Sequence, residues 1–262
     1  MGRFHRHDDG TVHTHDHSDP ENHGHEHHDH GDHSGYETGS QRIDVLESIF
    51  AENDVRADFN RKAFESNGIR ALNLMSSPGS GKTTVLGATL DELAGEFAVG
   101  VIEGDIATDL DAAKLGGRGA QISLLNTGNG FGGECHLDAP MVNRALQGLD
   151  LDQLDLVIIE NVGNLVCPAE FDVGEHAKAM VYSVTEGDDK PLKYPVVFRA
   201  VDVVLLNKID LVPYLDVDVD SYLARVREVN PMATILPISA RTGAGMSAWF
   251  GWLRRFMAAS AA

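Results

Sequence analysis

Between Ser76 and Thr84 the chain reads Ser-Ser-Pro-Gly-Ser-Gly-Lys-Thr-Thr, a lysine and two hydroxyls placed directly behind two glycines. Small residues at Ser77, Gly79, Ser80 and Gly81 let backbone N–H groups turn inward around an anion, which is how a polyphosphate is held. An apolar run over residues 69–75 precedes the loop and a helical pattern follows from Lys82, the strand–loop–helix context a Walker A loop requires. In that frame Lys82 meets the β- and γ-phosphates, Thr83 gives its hydroxyl to Mg²⁺, and Thr84 continues the loop into the helix. Ser76 stands where the first glycine of the pattern is usual, a departure at one corner of the loop.

A second motif, Asn207-Lys208-Ile209-Asp210, follows the apolar run 201–206. Asp210 can accept from guanine N1 and N2 together, Asn207 can bond the opposite edge, and the Lys208 stem can lie along the ring. Adenine lacks those donors, and a buried carboxylate left without them is penalised. Downstream, Ser239-Ala240 closes another strand in position to offer a backbone N–H to guanine O6. These residues together imply GTP and GDP as ligands. Hydrolysis needs a divalent cation and a positioned water. The apolar run 154–159 ends in Glu160, the form of a Walker B strand, so Glu160 is expected to hold Mg²⁺ directly or through water. The run 97–102 ends at Glu103-Gly104-Asp105, which makes Asp105, or Asp109 beyond it, the candidate switch carboxylate. Lys82, Thr83, Asp105 and Glu160 are thus the candidate catalytic set, and the last three the Mg²⁺ ligands.

Metal chemistry of another kind is written into Cys135-His136 and Cys167, which hold both cysteines of the chain. Thiolate and imidazole suit Ni²⁺ or Zn²⁺ and not Mg²⁺ or Ca²⁺. No Cys-x-x-Cys pair exists, which argues against a structural zinc knuckle; further ligands would come from water, a nearby acid or a second subunit. Cys167 lies on the loop expected to leave the Walker B strand, a loop that moves with the γ-phosphate in such proteins. At the amino terminus, His5, His7, His13, His15, His17, His23, His25, His27, His28, His30 and His33 alternate with Asp, Glu, Gly and Ser. Neutral imidazoles there can concentrate nickel, copper or zinc without choosing among them, a storage role.

Elements that must position these groups follow from periodicity. Residues 1–40 hold too few aliphatic side chains to offset their ordering entropy and are expected to be a disordered metal-binding tail. Residues 41–68, with Ile43, Leu46, Ile49, Phe50, Phe59 and Ala63 at helical spacing, should form one or two amphipathic helices covering the main domain, 69–262. There, apolar runs at 69–75, 97–102, 121–126, 154–159, 179–184, 201–206 and 234–238 alternate with helical patterns at 82–94, 140–149, 217–229 and 245–256. That alternation predicts an α/β fold, a mainly parallel sheet with helices on both faces. The 262 residues suffice for one such domain with a sizeable core. A formal charge of −19 repels phosphate backbones and argues against nucleic acid as a partner. The absence of a long apolar run argues against membrane insertion, and a charged start with two cysteines predicts a reducing, cytoplasmic location.

Taken together, residues 77–84, 103–109, 133–137, 160–168, 193–195 and 207–210 make the chain resemble the hydrogenase maturation nickel GTPases of the HypB family, over about residues 40–258. The resemblance implies a SIMIBI-type P-loop G domain, a GTP-dependent homodimer with the Cys135, His136 and Cys167 site at its interface, and nickel delivery to the large subunit of [NiFe] hydrogenase with a small partner metallochaperone. Lys193, with Lys190 near it, resembles a position that reaches nucleotide across the dimer. An amino-terminal Cys-x-x-Cys-x-Cys found in some relatives is absent, and the His-rich tail stands in for it as storage. Two other readings are a urease accessory GTPase, which the separation of Cys135-His136 from Cys167 disfavours, and a nickel store in which nucleotide is incidental.

Overall fold

The structure is a computed structural model that describes the backbone of residues 4–6, 12–14, 38–104, 115–125, 136–165 and 167–259, and side chains within 50–104, 115–125, 136–165 and 168–259. The chain divides into two compact units, Met1–Asp44 and Val45–Ala262. In the first, β1 (Phe4–Arg6) and β2 (Val12–Thr14) pair antiparallel with His5 opposite His13. The disorder expected for the remainder of the tail, and its other histidines, lie outside the described residues.

Seven strands build the sheet of the second unit: β3 (Arg70–Ser76), β4 (Val99–Glu103), β5 (Gln121–Leu124), β6 (Leu156–Gly163), β7 (Ala177–Ser183), β8 (Val203–Asn207) and β9 (Thr234–Pro237). Their order is β5-β4-β6-β3-β7-β8-β9 and every pairing is parallel. Each apolar run read from the sequence is one of these strands, because a parallel strand covered on both faces has no solvent side to alternate toward. The carboxyl ends of β3, β4 and β8 carry Ser76, Glu103 and Asn207, and Glu160 of β6 lies in register with Glu103, so the sheet gathers the motif residues on one side.

Eight helices accompany the sheet among the described residues: α1 (Thr38–Ser66), α2 (Lys82–Leu93), α3 (Ala139–Leu146), α4 (Cys167–Glu170), α5 (Lys190–Lys193), α6 (Pro195–Arg199), α7 (Val219–Val229) and α8 (Met246–Ala258). Consecutive strand residues face opposite sides. Leu74, Val101, Ile158, Val181 and Leu205 pack with Val85, Leu86 and Leu90 of α2 and Trp249 and Leu253 of α8. Their neighbours turn the other way: Ala71, Ile102, Val157 and Ile159 meet Phe64 of α1 and Val142 and Leu146 of α3. Met75, Met180, Val204 and Leu206 continue that second face against Phe198 of α6 and Tyr222 and Val226 of α7. Trp249 adds a polar tie, its Nε1 donating to Thr89 Oγ1 at 2.9 Å.

α1 departs from its sequence reading. Among its described side chains the residues it buries are Asn53, Ala57, Asn60 and Phe64, spaced one or two turns apart, whereas Phe59, expected on the covering face, is 58 % exposed. Two amides on the buried stripe hide it from a hydrophobic pattern. They are satisfied across the unit: Asn53 donates to Asp172 O (2.8 Å) and accepts from Ala139 N (2.9 Å), and Asn60 donates to Ala139 O (2.9 Å) and Val173 O (3.0 Å). Arg61 adds an ion pair to Asp172 at 2.6 Å.

His176 closes the same corner. Its Nδ1 accepts from the Ala71 backbone N–H at 2.9 Å, while its backbone N–H donates to Ala71 O at 2.8 Å. Burial and the nearby Arg70 guanidinium hold its imidazole below the ordinary range. A lowered histidine pKa means that the fold keeps the ring neutral, so its contribution is present above about pH 6.5 and is lost as the pH falls below that value. The urea midpoint of the wild type should therefore drop between pH 7.5 and 5.5 by more than that of His176→Gln, by a fraction of a kcal/mol because the group is half-exposed. Parallel pH profiles for the two proteins would refute this.

Candidate functional site

The phosphate loop leaves β3 at Ser76 and enters α2 at Lys82. Gly79 and Gly81 take left-handed backbone angles, φ 74° and 97°. At Gly81 a side chain is also excluded sterically, since a Cβ would lie 2.6 Å from Asn207 Nδ2. Gly81 caps α2 without a side-chain hydrogen bond, so the first N–H groups of that helix face the loop, ready for an anion.

Lys82, Thr83 and Glu160 meet at one point. Lys82 Nζ lies 3.0 Å from Glu160 Oε1 and Thr83 Oγ1 donates to the same oxygen at 2.9 Å. The ion pair is buried, its side chains 5 % and 0 % exposed. Each ion costs several kcal/mol to desolvate, so the pair is held by mutual attraction and is open to exchange for stronger partners. Glu160 Oε2 is buried with no hydrogen-bond partner among the described residues. An unanswered carboxylate oxygen next to a threonine hydroxyl is the donor set a hard, oxygen-seeking cation takes, so these residues fit Mg²⁺. Glu103 pairs in register with Glu160 and is 3 % exposed, which sets a second carboxylate on the adjacent strand end. Gly163, further along β6, lies beside the phosphate loop: a Cβ there would be 3.4 Å from Pro78 Cα, at van der Waals contact.

At the other end of the loop, Asn207 ties both halves of the site together. Its Nδ2 donates to Ser80 O at 2.8 Å and its Oδ1 accepts from Ala240 N at 3.1 Å. Lys208 has a left-handed backbone, φ 65°, rare for a side-chain-bearing residue. That turn sends its Nζ to Gly79 O at 2.6 Å. Ser239 Oγ donates to Asp210 Oδ1 at 2.6 Å and so orients the carboxylate. Gly81, Thr84, Asn207, Lys208, Asp210, Leu211, Ala240 and Arg241 line a cleft of about 570 Å³.

One support of the loop went unread in the sequence. Glu186 Oε1 accepts from Ser80 Oγ at 2.7 Å and from Ser183 N at 2.9 Å. Lys190 pairs with Glu186 and donates to Ser77 Oγ at 2.8 Å. Ser183 and Glu186 form a capping box, whose Ser-x-x-Glu spacing was the available signal. Beneath this segment Tyr222 Oη donates to Val184 O at 2.6 Å and Tyr182 Oη to Gly187 O; burial pushes the Tyr182 phenol well up. Lys193 sits apart from the loop. It is 64 % exposed and pairs with Asp189 at 2.6 Å, a hydrogen bond that raises its pKa.

Of the candidate metal residues, Cys135 lies outside the described residues, as do Asp105 and Asp109. Cys167 is the first residue of α4, and its side chain is likewise outside. The His136 ring stacks on Phe171 with centroids 4.1 Å apart, and Phe171 meets Phe50 of α1 at 5.2 Å. The segments after His136 and after α4 are therefore neighbours, joined by the Asn53 and Asn60 bonds.

The chain is similar to known proteins. The family profile described as CobW/HypB/UreG, nucleotide-binding domain, matches residues 70–237. The hydrogenase maturation factor HypB of Azotobacter chroococcum is 49 % identical over 216 residues, covering 82 % of this chain and 70 % of that protein. Among solved structures, HypB from Archaeoglobus fulgidus superposes with a TM-score of 0.73 at 37 % identity, covering 79 % of this chain and 99 % of that one. HypB from Helicobacter pylori in complex with nickel superposes with a TM-score of 0.73 at 35 % identity, covering 79 % and 95 %.

Gly81→Ala should displace Asn207 from Ser80 and strain the loop. Nucleotide affinity, followed by titration of a fluorescent analogue, is expected to fall at least about tenfold, or 1.4 kcal/mol, with the far-UV circular dichroism unchanged. Unaltered affinity would mean that the Asn207 tie does not shape the site.

Proposed function

The chain belongs to the family of the hydrogenase maturation factor HypB, and on that premise we propose that it is a GTP-hydrolysing metallochaperone that binds nickel and couples its GTP state to nickel insertion into [NiFe] hydrogenase. The observation that carries the reading is the convergence of Lys82 and Thr83 on Glu160 of the strand that leads to Cys167.

Guanine would occupy the cleft with its N1 and N2 edge on Asp210, which Ser239 already orients. The loop 77–84 would wrap the phosphates, with Lys82 exchanging Glu160 for the β- and γ-oxygens. Thr83 and Glu160, with Asp105 as a further expected ligand, would hold Mg²⁺. Once bound, that ion supplies charge neutralisation on the phosphoryl oxygens. Glu160 is then freed from Lys82, and the end of β6 experiences the change.

Nickel is the cargo, and Cys135, His136 and Cys167 are its proposed internal ligands; the same donors accept zinc. The solved complex of Helicobacter pylori HypB with nickel supports the metal. Tail histidines add capacity without selectivity. A second copy of the chain would complete the coordination, and a small nickel metallochaperone and the hydrogenase large subunit are the proposed partners. Among the described residues no helix is long and apolar enough to cross a membrane, and a cytoplasmic location is part of the proposal.

Phosphate release from GTP should require Mg²⁺ and exceed that from ATP by at least about a hundredfold in kcat/KM, since a lost pair of hydrogen bonds to a buried acid discriminates strongly. Glu160→Gln should lower kcat by at least about tenfold, or 1.36 kcal/mol. Cys167→Ala should weaken the Ni²⁺ titration read by thiolate-to-nickel absorption, which the cysteine-free tail does not contribute. Equal turnover of ATP, or unchanged nickel absorption in Cys167→Ala, would sink the corresponding half of the proposal.

A further inference from the structure

Glu160 and Asn161 are consecutive on β6, so strand alternation sends them to opposite faces of the sheet. Glu160 meets Lys82 and Thr83 of α2 on one side. Asn161, fully buried, faces the α1 and α3 side. Its Oδ1 accepts from the backbone N–H of Leu137 at 3.1 Å and of Val162 at 2.9 Å, and its Nδ2 donates to Asn73 Oδ1 at 3.2 Å. Asn73 passes the chain on, donating to Glu175 Oε1 at 3.2 Å, while Glu175 Oε2 accepts from Val173 N at 2.8 Å.

Leu137 directly follows His136, and Val173 lies two residues beyond Phe171, the ring that His136 stacks on. Asn60 bridges the same two segments through Ala139 O and Val173 O. The stretches 136–139 and 171–175 are thus stapled to each other, and Asn161 adds a directional hydrogen bond from β6 to the apolar packing of Leu137 and Val173 with Val157 and Ile159. A buried amide that loses its partner costs about 1–3 kcal/mol. When β6 shifts at Glu160 and Asn161, the cheaper response is for Leu137 to follow.

We propose that Asn161 is a positioning residue that transmits the state of Glu160 to His136, so that nucleotide exchange on one face of the sheet resets the metal site on the other. This rests on the reading of Cys135, His136 and Cys167 as nickel ligands, and it adds the connecting group. Asn161 touches neither nucleotide nor metal; it acts by fixing the backbone next to His136. Its contribution lies in the difference between nucleotide states and not in either affinity by itself.

The test uses the full chain, titrated with Ni²⁺ in GDP and in a non-hydrolysable GTP analogue and followed by thiolate-to-nickel absorption, which reports only on the two cysteines. In the wild type the two midpoints should differ by at least about fivefold, the lower end of usual coupling between sites. In Asn161→Ala that ratio should fall to within about twofold, with nucleotide affinity within about threefold of wild type, so the loss of coupling is not a loss of binding. Asn161→Ser, too short to span to Leu137, serves if the Ala variant does not fold and should behave as Ala does. A wild-type ratio preserved in Ala or Ser overturns the proposal for Asn161 and leaves the metal site standing. A wild type with no nucleotide dependence overturns the coupling reading and this inference with it.

Discussion

A carboxylate with none of its surface in water has to be answered by a cation and a hydroxyl, and Glu160 receives both from the first turn of α2. That one junction constrains the rest of the site. It sets the distance between β6 and the helix that follows the phosphate loop. It fixes Lys82, whose amine would otherwise have to be solvated or partnered elsewhere in a buried cleft. Among the described residues it leaves Glu160 Oε2 without a hydrogen-bond partner, the kind of oxygen a hard divalent cation takes.

The parallel sheet converts that local arrangement into a two-sided device. Because side chains alternate across β6, the residue after Glu160 necessarily serves the opposite helix layer. There the packing is not purely apolar. Asn53, Asn60, Asn73, Asn161 and Glu175 are buried, and each has protein partners. Burial pushes the Glu175 carboxyl up even though Lys178 lies 3.3 Å away and opposes it. A core of Leu and Val could have filled the same volume more stably. Directional amides instead specify where the segments after His136 and after α4 must run.

A second constraint acts on the phosphate loop from outside its own strand and helix. Glu186 and Lys190 grip the hydroxyls of Ser80 and Ser77, and two tyrosine hydroxyls hold the segment that carries them. The loop is therefore braced from β8 by Asn207 and from the segment after β7 by Glu186. Glu186 would oppose an incoming phosphate by charge, and Lys190 offsets it.

The sequence by itself determined the arrangements whose geometry is local. In Ser76–Thr84 and Asn207–Asp210, contiguous residues and the strand before them fix each other's positions, so type and spacing suffice. The seven apolar runs likewise determined a parallel sheet, since burial on both faces leaves a uniform pattern. What the tertiary structure decided are meetings between distant segments: Glu186 with Ser80 across 106 positions, Lys190 with Ser77 across 113, and Asn161 with Leu137 across 24. It also decided the face of α1, where asparagines at 53 and 60 occupy buried positions that hydrophobic periodicity assigns to Phe59. Polar side chains in a core carry no periodic signal: their burial is favourable only once a specific partner is present, and the fold alone supplies that partner.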